Sequence, residues 1–223
     1  MDSDRQATRI GVVVGLAAEA RIARRLGYAV EIGGGTAQGA AGAAERLAAS
    51  GVSALVSFGL AGGLNPTLRP GAIIIPSAVW LDGAIATTDP ELSDSLGQRT
   101  PHRLLAGTQI AATAGGKAAL RQATGSDAID LETAGLVRVA MTRGLAFAVL
   151  RAVCDPAWRD LPPAAVAALS TGGRIIFSRL LRSIADRPAQ IATLLALAGD
   201  AIAAQRALVH HVTAIRTDRR GRA

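Results

Sequence analysis

The sequence predicts a three-layer α/β/α fold in which helices cover both faces of a central mixed, largely parallel sheet. Short apolar runs typical of buried strands alternate along the chain with Ala-rich helical patterns, which is the order that βαβ units produce. Half of the 223 residues are apolar and only 18% are charged, a composition that supports a sizeable core and excludes disordered and fibrous proteins.

The elements of the first half follow from continuous apolar runs, which predict buried strands, and from Ala-rich stretches, which predict helices. Glycines 33–35 and the turn-rich segment 61–71 separate these elements. The predicted strands are residues 10–16, 53–60 and 72–80, and the predicted helices are one that continues through Leu26 and one at 37–50.

The second half begins with a polar segment, residues 82–103, which contains Pro90 and Pro101. Its length predicts a functional flap or a locally disordered loop. Pro156 marks the exit of the last core strand because proline disfavours a helical conformation at Asp155. Strands are predicted at 104–112 and 146–153, and helices at 117–124, 128–143, 175–186 and 188–212.

No linker or internal repeat divides the chain, so residues 1–213 are predicted to form one domain, with a basic, disordered tail at 214–223. Neither a secretory signal nor a run of about 20 apolar residues is found, which predicts a cytoplasmic protein without a transmembrane segment. The net charge of +7 leaves weak association with membrane surfaces open. The lack of aromatic residues among the basic ones argues against nucleic acid.

Several kinds of site are excluded. The single cysteine, Cys154, excludes an intramolecular disulfide and a multi-cysteine metal site, and the three histidines lack a metal-ligand pattern, so no metal is expected. Gly33 cannot begin a dinucleotide fingerprint because Gln38 stands where the third glycine is required. The P-loop and nucleophile-elbow motifs are absent as well.

Three carboxylates are the candidates for chemistry. Glu19 follows the first strand, Glu132 lies in the segment IDLET, and Asp155 ends the last strand. Each of them alone is best explained as a helix cap or a solvated side chain. Together they lie where open α/β sheets bind their ligands.

Four segments resemble, in the same order, the signature blocks of the nucleoside phosphorylase and nucleosidase family, which includes methylthioadenosine/adenosylhomocysteine nucleosidases. The segments are GLAAEAR at 15–21, SFGLAGGL at 57–64, IDLETA at 129–134 and RAVCD at 151–155. The sequence from residue 151 onward is most similar to the hopanoid-associated phosphorylases, which remove adenine from adenosylhopane. The resemblance implies a homo-oligomeric enzyme without a cofactor that cleaves the N-glycosidic bond of an adenine nucleoside.

The resemblance also implies a role for each candidate. Asp155 matches the acid that protonates N7 of the departing adenine. Glu132 matches the residue that binds the ribose hydroxyls, and Leu131 stands where the family usually has Met, under the sugar. Asp130 receives no definite role.

The resemblance further implies contacts with the substrate from Ala61, Gly62 and Ala112. The family often stacks an aromatic side chain on adenine from the segment at 107–112, but this sequence has none there. Recognition of the base is therefore expected to rely on backbone groups and apolar contacts.

Glu19 bears on whether water or phosphate attacks the sugar. Nucleosidases have at this position the Glu that orients water, whereas phosphorylases of this fold tend to have an Arg that holds phosphate. Ser57 and Leu60 also replace the phosphate-binding Arg and Ser of bacterial phosphorylases. The sequence thus favours hydrolysis. Phosphorolysis with phosphate as co-substrate, a methylthioadenosine/adenosylhomocysteine nucleosidase and a non-catalytic nucleoside-binding protein are the alternatives.

Overall fold

The computed structural model of the chain describes residues 9–168 and 190–221. The strands are β1 (Ile10–Val14), β2 (Ala29–Ile32), β3 (Ala54–Gly63), β4 (Ile73–Ile74), β5 (Pro76–Leu81), β6 (Ala84–Thr87), β7 (Thr100–Ala106), β8 (Ala128–Asp130) and β9 (Ala146–Asp155). The helices are α1 (Ala17–Ala23), α2 (Ala37–Ala49), α3 (Pro90–Ser95), α4 (Ala114–Thr124), α5 (Thr133–Arg143), α6 (Pro163–Ala168) and α7 (Ile191–Gly221). A 3₁₀ turn, Arg24–Leu26, follows α1.

The strands form one sheet with β3 at its centre. Strand β3 pairs in parallel with β1 and with β9, and β2 adds in parallel to β1. Strand β7 pairs in parallel with β5 and β8, whereas the pairs β3 with β8, β4 with β9 and β5 with β6 are antiparallel. The predicted mixed, largely parallel sheet is confirmed.

Two apolar clusters, one on each face of the sheet, hold the three layers together. Leu55 belongs to the first cluster, with small side chains of α2 and α5 such as Ala43 and Ala140. Its neighbour Val56 belongs to the second cluster, with residues of α1, α3 and α7 such as Leu208. Adjacent residues of β3 enter opposite clusters because successive strand side chains point to opposite faces.

The polar segment 82–103 is not a long loop, so that prediction is wrong. Asp82 and Gly83 both have positive φ, 51° and 82°, and they form the tight turn of the β5–β6 hairpin. Pro90 is the first residue of α3, and the side chain of Asp89 caps that helix. Proline begins a helix here because the first helical turn does not use the N–H that proline lacks.

The prediction of a helix at 128–143 is also wrong for its first residues, Ala128–Asp130, which form strand β8 between β3 and β7. Asp130 accepts the N–H of Thr133, and α5 begins at Thr133.

The strand predicted at 72–80 is divided into β4 and β5, which pair with different neighbours. Strand β7 starts and ends earlier than the predicted 104–112. The four residues of β2 were not predicted because so short a run gives no clear period.

The C-terminal helix α7 is longer than predicted. It continues to Gly221, so the prediction of a disordered tail is wrong for residues 214–221, where Ile215 packs into the second cluster. The helix predicted at 175–186 lies outside the described residues. Within the described part of the chain, the helical stretch 191–218 is long enough to cross a membrane and contains an 18-residue window with a mean hydropathy of 1.3, of which 11% is buried.

Substitution of two glycines by alanine tests how closely α2 and α5 pack against each other. A Cβ atom at Gly135 of α5 would lie 1.9 Å from the carbonyl oxygen of Ala37, whereas one at Gly42 of α2 would have only Nη1 of Arg46 nearby, at 3.6 Å. We expect Gly135→Ala to lower the free energy of unfolding by about 1 to 3 kcal/mol because the backbones must separate. The control, Gly42→Ala, should raise it by about 0.5 to 1 kcal/mol. Chemical denaturation measures both, and equal effects would contradict the close helix contact.

Candidate active site

A cavity of about 370 Å³ lies at the carboxyl ends of β1, β3 and β9. The three candidate carboxylates, Glu19, Glu132 and Asp155, all line it. Glu19 and Asp155 meet there because β1 and β9 run parallel to β3 and their carboxyl ends lie at one edge of the sheet. Glu132 follows β8, which pairs antiparallel with the last residues of β3. The other predicted residues on the cavity wall are Leu131, Ala61 and Gly62.

One residue predicted to contact the substrate lies outside the cavity wall. Ala112 is not part of the cavity wall, which contains its neighbours Gln109, Ile110 and Ala111. The carbonyl oxygen of Ala112 instead accepts the N–H of Leu161 at 2.7 Å. This hydrogen bond fixes the loop that carries the three lining residues.

Glu19 is held by backbone donors at the start of α1. One carboxylate oxygen accepts the N–H groups of Gly15 and Leu16, at 3.0 and 2.9 Å, and the other accepts the N–H of Leu60, at 3.1 Å. The side chain thereby closes the first turn of the helix and ties it to β3. Burial raises the pKa of Glu19, and the guanidinium of Arg151 and these hydrogen bonds oppose the rise.

Arg151 of β9 is buried among the carboxylates, with 1% of its side chain exposed. Its Nη2 lies 2.6 Å from Oδ2 of Asp130 and donates to Oγ of Ser57 at 2.7 Å, and its Nη1 lies 3.2 Å from Oε2 of Glu132. A buried guanidinium is tolerated only with such partners. The sequence reasoning gave no role to Arg151 or Asp130, because a strand pattern does not reveal which groups a buried arginine pairs with.

Glu132 combines an ion pair with an unfavourable electrostatic environment. The pKa of its carboxyl is raised to about 7, chiefly by burial and also by the neighbouring acids Glu19 and Asp130, while Arg151 opposes the rise. The group therefore titrates close to neutral pH.

Glycines allow these charged groups to approach one another. A Cβ atom at Gly15 would lie 1.8 Å from Oε1 of Glu132, and one at Gly59 would lie 2.5 Å from Nη1 of Arg151. Gly59 also has a φ of 156°, a conformation that other residues rarely adopt. A side chain at either position would push the network apart.

Asp155 ends β9 and pairs with Lys117 of α4. The Nζ atom of Lys117 lies 2.6 Å from Oδ2 of Asp155, and the lysine side chain has no exposed surface. The other oxygen, Oδ1, is buried and has no hydrogen-bond partner among the described residues. Burial raises the pKa of Asp155, and Lys117 opposes the rise. The sequence reasoning placed Lys117 only at the start of a helix and missed this contact.

The charges of the site are mostly negative. The cavity wall contains the four carboxyl groups of Glu19, Asp130, Glu132 and Asp155. Lys117 and Arg151, the cations beside them, both already pair with carboxylates. Over residues 9–168 and 190–221, no group of His, Cys, Asp and Glu side chains could hold a metal ion. The arrangement supplies acids and bases close to an apolar wall.

A larger groove of about 640 Å³ lies on the surface beside α4, between Pro66 and Trp158. No carboxylate lines it. It therefore lacks the acid groups that the smaller cavity brings together.

The chain is similar to known proteins in part of its sequence and in its fold. Residues 25–123 match the family model described as the phosphorylase superfamily. No curated protein matches the chain. Among solved structures, a 5′-methylthioadenosine/S-adenosylhomocysteine nucleosidase from Colwellia psychrerythraea 34H in complex with adenine has a TM-score of 0.60 and 16% identity, covering 68% of this chain and 84% of that chain.

Two further solved structures extend the likeness over more of the chain. The corresponding nucleosidase from Neisseria meningitidis, in complex with methylthio-immucillin-A, has a TM-score of 0.64 and 14% identity, covering 94% of this chain and 99% of that one. The futalosine hydrolase of Helicobacter pylori strain 26695 has a TM-score of 0.60 and 16% identity, covering 79% and 97%. The fold is that of nucleoside phosphorylases and nucleosidases. The predicted resemblance to this family is confirmed by the matched segment and by the fold.

Glu132 gives the stability of the protein a pH dependence of defined sign. Its pKa rises from 4.5 to about 7 on folding, so between these values the folded state binds a proton that the unfolded state does not. The stabilisation is complete below pH 4.5 and is lost as the pH rises through about 7.

We expect Glu132→Gln to reduce the fall in the free energy of unfolding between these pH values, measured by urea denaturation. Glu91→Gln, at an exposed position of α3, controls for the change in net charge. A fall as steep in Glu132→Gln as in the wild type would contradict the burial of Glu132 among like charges.

Proposed function

We propose that the protein is an N-ribosyl hydrolase that cleaves the N-glycosidic bond of an adenine nucleoside and releases adenine. One observation carries the proposal: Glu19, Glu132 and Asp155, from three distant parts of the chain, line one cavity. The similar nucleosidase with bound adenine supports the same reaction class.

Each carboxyl group has one task in this reaction. Asp155 gives its proton to N7 of the purine while the bond between C1′ and N9 breaks and its electron pair goes to the base. Glu132 accepts hydrogen bonds from the ribose hydroxyls. Glu19 takes a proton from the water that attacks C1′. After the products leave, Asp155 regains a proton from solvent and Glu19 loses one.

The charges at the site support water over phosphate as the acceptor. A phosphate dianion needs a cation without a partner, but Arg151 and Lys117, the cations that contact these carboxylates among the described residues, are both paired. Glu19 adds a further carboxylate where the dianion would bind, and like charges in a buried site repel strongly. Water carries no such penalty.

The walls of the cavity support a nucleoside with an apolar 5′ substituent. Leu16, Leu161 and Leu197 line it, together with Ala165 of α6 and Ala201 of α7. We therefore propose adenosylhopane, a lipid-linked adenine nucleoside, as the substrate, and thioether nucleosides such as methylthioadenosine suit the same walls. The homo-oligomer, the cytoplasmic location and the weak membrane-surface association stay predictions.

The acceptor and the substrate are tested in one assay. The protein is incubated with adenosylhopane, methylthioadenosine, adenosylhomocysteine or adenosine, with and without phosphate, and free adenine is measured. We expect equal adenine release in both buffers, fastest from adenosylhopane. Strict dependence of adenine release on phosphate would show phosphorolysis in place of hydrolysis. No adenine release from any of the four nucleosides would contradict the proposed activity.

The roles of the acid and the base are tested by two substitutions. Asp155→Asn and Glu19→Gln should each lower kcat by about 10² to 10⁴-fold. Because Asp155 must be protonated and Glu19 ionised, the first variant should lose the alkaline limb of the pH profile and the second the acidic limb. Glu91→Gln is the surface control. Activity of Asp155→Asn equal to that of the wild type would show that the acid is another group.

A further inference from the structure

Lys117 is the only lysine of the chain, whose Lys and Arg residues number 24. Its side chain is fully buried, and its Nζ atom has three acceptors. They are Oδ2 of Asp155 at 2.6 Å, the carbonyl oxygen of Pro156 at 2.9 Å and that of Arg159 at 2.8 Å. Three acceptors match the three N–H donors of an ammonium group, so the lysine is fixed in one position.

All of the remaining Lys and Arg residues are arginine, so the lysine at position 117 indicates a site with a specific requirement. The acceptors surround a single nitrogen in a site without exposed surface. A guanidinium is a larger, planar fork that donates from several nitrogens and does not fit such an arrangement. The site therefore requires a compact point charge beside Asp155.

The other charged and titratable groups that face Asp155 act less directly. Arg159 lowers the pKa of Asp155 and Asp200 of α7 raises it, and these two side chains form an ion pair with each other. The adjacent Cys154 has a pKa raised to about 12, chiefly by burial, and is a neutral thiol at physiological pH. Among the described residues, Lys117 is the cation in direct contact with the Asp155 carboxyl.

We propose that Lys117 is a positioning residue: it fixes the carboxyl of Asp155 at the end of β9 and stabilises the carboxylate that forms when Asp155 protonates the departing purine. The inference rests on the function proposed above. The proton moves from Asp155 to N7, and the electron pair of the C1′ to N9 bond goes to the base. Lys117 keeps its own protons, and its charge offsets the new negative charge on Asp155.

Lys117→Met removes the charge and keeps much of the volume. We expect the alkaline limb of kcat/KM to move to higher pH by about 1 to 3 units, because an adjacent cation lowers a carboxyl pKa by about that amount. The activity below that limb should fall as well. Arg121→Met, one turn further along α4 with a side chain 44% exposed, is the matched control and should keep the wild-type limb. Lower activity with an unmoved limb would indicate a merely structural lysine and overturn the proposal.

A second measurement uses the wild-type protein and needs no substrate. Because the chain has one lysine, labelling with [¹³Cε]lysine gives one resonance that requires no assignment. We expect this resonance to shift over the pH range in which Asp155 ionises, and Asp155→Asn to abolish the shift. A resonance with the same pH profile in both proteins would overturn the proposal even if Lys117→Met does not fold. Lack of adenine release by the wild type would contradict the proposed function alone.

Discussion

The buried guanidinium of Arg151 is the constraint on which the rest of the site depends. An arginine with 1% of its side chain exposed must have partners, and Asp130, Glu132 and Ser57 provide them. Loss of one partner of a buried ion pair typically costs about 3 to 5 kcal/mol, so the ends of β3, β8 and β9 are held in one arrangement. Gly59 leaves room for the guanidinium, because a Cβ atom at that position would lie 2.5 Å from Nη1 of Arg151.

This arrangement also gives the carboxyls the proton affinities that acid and base chemistry needs. Burial raises the pKa values of Glu19, Glu132 and Asp155, and each of them has a cation nearby that opposes the rise. A raised pKa makes each carboxyl hold its proton to a higher pH than a free carboxyl does, and the pKa of Glu132 reaches about 7. The same burial lowers the free energy of unfolding as the pH rises, so the groups proposed to act in catalysis reduce the stability of the folded state.

The sequence predicted the layers, the sheet and the three carboxylates, because long apolar strands and residues at strand ends leave clear local patterns. It did not predict the hairpin at Asp82 and Gly83, although Asp-Gly is a turn signal, because the polar composition of the surrounding segment was interpreted as a loop. Arg151 and Lys117 could not be assigned either. Their functions depend on partners distant in the chain, which only the fold brings into contact. The single lysine among many arginines was the one signal that could have indicated Lys117.

A crystal structure of the protein with adenine tests the central claim most directly. We expect the purine in the 370 Å³ cavity, with N7 about 2.6 to 3.2 Å from a carboxyl oxygen of Asp155 and with N9 directed toward Glu132. Adenine bound in the groove between Pro66 and Trp158, or bound in the cavity with N7 directed away from Asp155, would contradict the account.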